Sequence, residues 1–383
     1  MTAERSAETQ IHVPPAVTRG AIIPPMERNS LAFLERFMAI PSPSGAEEAA
    51  AREWAAWMKP AADRIEKDTH GNVMAVLNPR GTPRVMLAGH MDEIGFMITQ
   101  IGDDGFLHFA QVGGHDLQII QGMRVAIRTA KGTVKGLLGK KAIHLMSGEE
   151  GRKVPSTEDL WIDIGVKDRK EAKGLVEIGD WAVIDMGYEP MRNGFATARG
   201  FDDRIGAWVV GEALRILSKK RPAASVYAVA TVQEEIGLRG ARTSAFGIDP
   251  LVGIAVDVTH ATDNPGAGGK EKAKLGTLKL GGGPVLARGP NINPKVYSRL
   301  QDAAKAAKIA VQVEAAPGGT GTDANVMQTT RAGIATGLVS IPLRYMHTPC
   351  EMLALRDVED AAKLIAEFIA RLDRKANFIP SEP

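Results

Sequence analysis

Histidines and carboxylates recur in this chain where apolar runs stop. Residues 85–88 (Val-Met-Leu-Ala) lead into Gly89, His90, Met91 and Asp92, and residues 227–232 lead into Gln233, Glu234 and Glu235. Residues 251–256 end on Asp257, and residues 336–341 lead through Pro342 to His347. Imidazole nitrogens mixed with carboxylate oxygens form the donor set that suits Zn²⁺ or Co²⁺, with Mn²⁺ a weaker match. The pattern reads as a metalloenzyme.

Each motif taken singly also has a structural account. His90 and Asp92 lie two apart in an extended segment and so share a face. Asp92 there can orient the imidazole toward a metal, or the pair can simply cap a strand. Asp202 and Asp203 stand where a helix begins, as caps or as a carboxylate bridging two cations, with Arg204 placed to neutralise and orient Asp203. Glu234 and Glu235 need a positive partner if they are buried, one as ligand and the other as general base; the other reading is a solvated turn. Asp257 is either a ligand or a structural acceptor. His347 follows the last strand as a ligand or a structural imidazole. Cys350 has no base and orienter beside it and is expected to pack. His12, His70, His108, His115 and His144 carry no chemistry in this reading, and His260 lines the site without ligating.

Short β-branched runs of this kind are strands covered on both faces, and open α/β sheets bind ligands beyond the carboxyl ends of such strands. Helical spacing covers residues 31–40 and 47–58, and extended stretches follow at 63–68 and 72–77. The texture changes from about residue 95: many glycines, short alternating segments, a charged loop at 147–159 and one short helix at 168–173. That predicts a β-rich insertion over 95–194 inside an α/β domain formed by 29–94 and 195–383. Helices are expected from Asp202 or Asp203, with Ile205, Val209, Leu214 and Leu217 inward, and at 357–372. The glycines at 281–283 and 318–321 lack Walker spacing and are plain loops. Residues 1–28 read as a flexible arm.

The chain has 383 residues, 44% hydrophobic and 24% charged, within the range of globular proteins. A net charge of +2 and 5% aromatics exclude nucleic acid as the main partner and disfavour stacking on bases or sugars. A single cysteine forms no intrachain disulfide, and the early residues show no secretory pattern, so a cytoplasmic location is expected. No run reaches transmembrane length, so no membrane is expected as partner.

Four segments together resemble metallopeptidase family 42, the tetrahedral, deblocking and glutamyl aminopeptidases. They are residues 88–96, 201–204, 232–241 and 344–347, in the family's order. The resemblance implies a phosphorylase/hydrolase-like α/β/α catalytic domain with an inserted small β-barrel-like dimerisation domain. It implies two divalent metal ions per chain, one held by His90, Asp202 and Asp257 and one by Asp202, Glu235 and His347. Glu234 matches the general base and Asp92 the acid orienting His90. Residues 320–324 resemble the family's Gly-Gly-Thr-Asp loop, with Thr320 in place of the first glycine. The implied activity is removal of N-terminal residues from peptide substrates by a homo-oligomer built of dimers, with the dodecamer as the larger assembly that the resemblance implies. The alternatives are an N-acyl-amino-acid amidohydrolase using the same centre and a non-catalytic oligomeric scaffold.

Overall fold

A computed structural model describes residues 26–382. The expected arm lies outside the described residues up to residue 25; Met26 is buried and the first helix has begun by Arg28. The helices are α1 (Arg28–Ala39), α2 (Glu48–Met58), α3 (Arg169–Leu175), α4 (Phe201–Lys219), α5 (Arg239–Ile248), α6 (Gly269–Leu275), α7 (Pro294–Ala307), α8 (Asp323–Met327) and α9 (Leu355–Ala370).

The strands up to the barrel's end are β1 (Arg64–Lys67), β2 (Val73–Leu77), β3 (Arg84–His90), β4 (Gly95–Ile101), β5 (Leu107–Val112), β6 (Arg124–Thr129), β7 (Gly132–Lys140), β8 (Leu160–Asp163) and β9 (Trp181–Ile184). Those after it are β10 (Glu189–Pro190), β11 (Phe195–Ala198), β12 (Ser225–Thr231), β13 (Val252–His260), β14 (Val285–Arg288), β15 (Gln312–Ala315), β16 (Ala335–Leu343) and β17 (Glu351–Ala354).

Among the described residues the main sheet runs β1-β2-β12-β3-β13-β16-β14-β15, and β10-β11-β17 form a small second sheet. Alternate side chains on each central strand enter different cores. Val85 and Leu87 of β3 pack with Trp54, Trp208 and Phe368 under α1, α2, α4 and α9, whereas Met86 and Ala88 pack with Ala241, Ala245 and Met327 under α5 and α8. Burial on both faces is why these runs carry no polar alternation. Strands β12, β3, β13 and β16 are mutually parallel, so their carboxyl ends share one edge.

β4 to β9 close a six-stranded barrel in the order β4-β5-β8-β7-β6-β9, filled by Phe96, Ile98, Leu107, Phe109, Val125, Ile127 and Ile162. Its alternating segments pair with neighbours around the ring, so one face of each strand is buried without a helix. Asp168 accepts from the backbone N–H of Glu171 and caps α3.

Three local expectations need correction. β13 does not stop at Asp257 but runs on to His260, because Val258, Thr259 and His260 keep their parallel pairing with β16. Arg204 does not face Asp203. Its guanidinium is fully buried against Glu93 (3.1 Å) and the main-chain oxygens of Phe37, Ile40 and Gly200, tying α1 to α4. Cys350 is exposed rather than packed. No helix among the described residues is long and apolar enough to cross a membrane.

Candidate metal centre

β3 delivers His90 fully buried to the sheet edge, because Gly89 lets helix α4 pass close. A Cβ on Gly89 would meet the carbonyl carbon of Gly206 at 2.3 Å. The chain then turns, and the Nδ1 of His90 lies 3.1 Å from the Asp92 carbonyl oxygen and 3.4 Å from its Oδ1. The Asp92 carboxylate also accepts from the Ser44 hydroxyl (2.6 Å) and the backbone N–H groups of Glu234 (3.0 Å) and Glu235 (3.2 Å). One buried acid therefore fixes the imidazole and the segment carrying two further acids, leaving the His90 Nε2 aimed outward.

Asp202 and Asp203 precede the regular part of α4, both with non-helical backbone. Asp203 is the cap: its Oδ1 accepts from Gly206 N–H (3.0 Å) and its Oδ2 from His90 N–H (3.2 Å). Asp202 points the other way. Its Oδ1 stands 3.3 Å from the His90 Nε2 and its Oδ2 3.2 Å from the His347 Nε2.

The turn after β12 is set by Gln233, at φ 54°. It swings Glu234 and Glu235 inward together. Glu234 Oε2 lies 3.7 Å from the His90 Nε2, and Glu235 Oε2 lies 3.6 Å from the His347 Nε2. Asp257 is buried on β13, where one oxygen accepts from the Val258 N–H. The backbone N–H of His347 donates to Glu351 Oε1 (3.0 Å), and its ring lies beside Gly114 of the barrel region.

All seven residues singled out in the sequence thus meet at one place. The ligating atoms of His90, Asp202 and Glu235 lie within 4.8 Å of one another, as do those of His90, Glu234 and Asp257. These triads cut across the two sets that the family resemblance implies; His347 joins through Asp202 and Glu235.

The electrostatics are those of acids short of positive charge. Burial pushes Asp257 up to about 8, with Asp202 adding to it, and pushes Glu234 up to about 10 with help from Asp257 and Asp323. Burial also raises Glu235 well above its ordinary range. Burial opposes the charged form of His90, but Glu234, Asp202 and Asp92 outweigh it and raise its pKa. Glu234 Oε1 and Glu235 Oε1 are buried with no hydrogen-bond partner among the described residues. Buried carboxylates without donors are costly, and divalent cations supply what this set lacks. The residues fit such ions.

The sequence reading missed several contributors. Glu351, fully buried, accepts from the backbone N–H groups of Asp202 (3.1 Å) and His347 (3.0 Å). Ser44 acts through its hydroxyl bond to Asp92, and Gly114 lies beside the His347 ring. His115, set aside in the sequence, stacks on Phe96 beside His347, and burial, with the nearby His347, lowers its pKa to about 4. Asp323 takes the Thr231 hydroxyl at 2.6 Å and keeps its other oxygen buried and unpartnered near Glu234. Only the acidic loop pattern at 320–324 gave any signal for these.

A cavity of about 450 Å³ opens over the centre, lined by Asp202, Glu234, Glu235, Asp257 and His347 and extending past His260 to Glu314 and Thr320. A larger one of about 590 Å³ beside Phe378 has Glu382 as its single ionisable residue and does not rival it.

The fold and site define an α/β domain with a barrel insertion and a histidine–carboxylate centre at its strand ends. The chain belongs to the M42 glutamyl aminopeptidase family, which it matches over residues 71–364. It is 38% identical to the lysyl aminopeptidase of Pyrococcus furiosus, over 91% of this chain and 99% of that one. A TET aminopeptidase structure from the Thaumarchaeota archaeon SCGC AB-539-E09 superposes with a TM-score of 0.85 at 36% identity, covering 90% of this chain and 97% of that one. The TET1 peptidase of Pyrococcus horikoshii, which assembles into a tetrahedron or a large octahedral shell, gives 0.80 at 32% identity, covering 90% of this chain and all (100%) of that chain.

Proposed function

We propose that this protein is a metal-dependent aminopeptidase that removes N-terminal residues from peptides. Two divalent cations, Zn²⁺ or Co²⁺ by donor type, would be held by His90, Asp202 and Asp257 and by Asp202, Glu235 and His347. The observation carrying this reading is Asp202, each of whose oxygens faces a different imidazole. Bound there, the cations would acidify a water and polarise the scissile carbonyl.

The chain's own groups do the rest. Glu234 Oε1, buried and unpartnered, takes the proton of the attacking water and returns it to the departing amine as the C–N bond breaks. Asp92 holds the His90 ring through Nδ1 and holds the Glu234 backbone at the same time. We assign the chemistry to residues 29–94 with 195–383, and subunit pairing to the barrel region 95–194. By analogy with the shells of the Pyrococcus horikoshii relative, the protein is a homo-oligomer.

The test is metal content by mass spectrometry together with hydrolysis of aminoacyl-p-nitroanilides, with and without added Co²⁺ or Zn²⁺. Bound metal with metal-dependent release is expected. Hydrolysis of acetylated but not free-amine substrates would move the reading to an amidohydrolase. No metal after supplementation would leave a scaffold.

A further inference from the structure

The cavity over the centre reaches beyond the metal-ligating residues across four strands. Asp257 and Thr259 are two apart on β13 and share a face, about 7 Å apart along the strand. The Thr259 hydroxyl donates to Glu314 Oε2 at 2.7 Å, and Glu314 on β15 stands in register with Ala287 on β14. Leu275, Ala287, Leu338 and Met346 give the cavity apolar lining alongside Glu314 and the polar Thr259, His260 and Ser340. The result is a pocket with apolar and polar lining that adjoins the centre and, apart from the centre's own acids, carries one carboxylate, Glu314.

Glu314 has no Lys or Arg within ion-pair distance among the described residues, and its position is set by a strand and a hydroxyl. The cavity's other long charged group, Lys274, is exposed on the short helix α6, where its ammonium remains in water. A fixed, half-buried anion discriminates better than a solvated flexible cation, because less is lost on ordering it. Lysine and arginine side chains match this pocket: an alkyl stem for the apolar lining and a cationic head for the carboxylate.

We infer that this cavity is the subsite for the N-terminal side chain and that Glu314 selects cationic residues, lysine and arginine, there. The inference rests on the aminopeptidase reading. It adds the substrate class and assigns Glu314 as the specificity residue, with Thr259 as its positioning partner.

The decisive comparison is lysyl- against norleucyl-p-nitroanilide, which differ by the ammonium group alone. In the wild-type enzyme, kcat/KM should favour lysine by about ten- to a hundredfold, the worth of one charge-assisted hydrogen bond. Glu314→Gln should bring that ratio close to unity, and Thr259→Val should lower it part of the way. Calorimetric titration with free L-lysine and L-norleucine reads the same discrimination without turnover. A wild-type ratio near unity, or a ratio that Glu314→Gln leaves intact, overturns the inference while the aminopeptidase reading stands. Preference for glutamyl substrate that disappears in Lys274→Met overturns it in favour of the lysine. Failure to release any aminoacyl group overturns both readings together.

Discussion

The two oxygens of Asp202 divide between two imidazoles, Oδ1 at 3.3 Å from the His90 Nε2 and Oδ2 at 3.2 Å from the His347 Nε2. In the proposed function a carboxylate so placed would serve two ion sites at once. Asp202→Asn should therefore lose both cations, whereas His347→Ala should lose only one. Metal stoichiometry by mass spectrometry after desalting checks this, and loss of a single ion from Asp202→Asn would break the bridging assignment.

In the proposed mechanism Glu234 is the base and the adjacent Glu235 a ligand. Glu234→Gln keeps the shape and one acceptor but no longer takes a proton. Metal content should stay at the wild-type level while turnover drops by about 10²- to 10⁴-fold. Parallel loss of metal would make Glu234 a ligand, the role that its proximity to His90 and Asp257 also permits.

Glu351 touches no substrate, yet its carboxylate gathers the backbone N–H groups of Asp202 and His347. Glu351→Gln replaces one acceptor oxygen by a donor facing those N–H groups. Cation affinity should weaken by about 10- to 100-fold, as for other groups that orient metal ligands, with the far-ultraviolet spectrum unchanged. Unchanged affinity would reduce Glu351 to a packing role.

Chelation should change the pH dependence of stability. Asp257 is pushed up to about 8 in the folded chain, from an ordinary value near 3.8. Between these values the chelated native state holds a proton that the unfolded chain has released. Stability should then fall as pH rises from about 4 through 8. Loaded protein, with its carboxylates held ionised, should be flatter across that window. Melting temperatures from pH 5 to 8 with and without chelator test the sign, and parallel curves would refute it.

Gly89 sets the spacing between strand and helix on which both His90 and Asp202 depend. A methyl there meets the main chain of Gly206 and Ala207 at 2.3 and 2.5 Å, and backbone cannot step aside cheaply. Gly89→Ala should cost about 1–3 kcal/mol in urea unfolding and weaken metal binding as well. A stable variant with normal metal affinity would show that the helix has room to shift.

The clustering of these residues was legible in the sequence because polar residues at parallel strand ends stand out after apolar runs. His90, Glu234 and His347 are each of that kind, and the alternating segments from residue 95 carried a β-rich insertion, whose closure into a barrel came from the family resemblance. Glu351 left no such trace, since it works through backbone N–H groups of residues 149 and 4 positions away. Arg204 misled for a related reason: adjacency to Asp203 suggested a pair, while burial directed it to Glu93 and helix-end carbonyls. The strand order, with β12 between β2 and β3, depends on crossovers that local pattern does not encode.

The barrel enters the chain between Asp92 and Asp202, and its Gly114 reaches back to the His347 ring. It looks like a detachable module on a topology diagram, yet its two stems carry His90 and Asp202 to within 3.3 Å of each other. Excising it is therefore no simple truncation. A short linker from Glu93 to Ala198 would have to reproduce that approach unaided, and the imidazole of His347 would lose its neighbour Gly114. In this architecture the accessory unit is also a structural jig for the chemistry, so the barrel and the centre must be inherited or redesigned together.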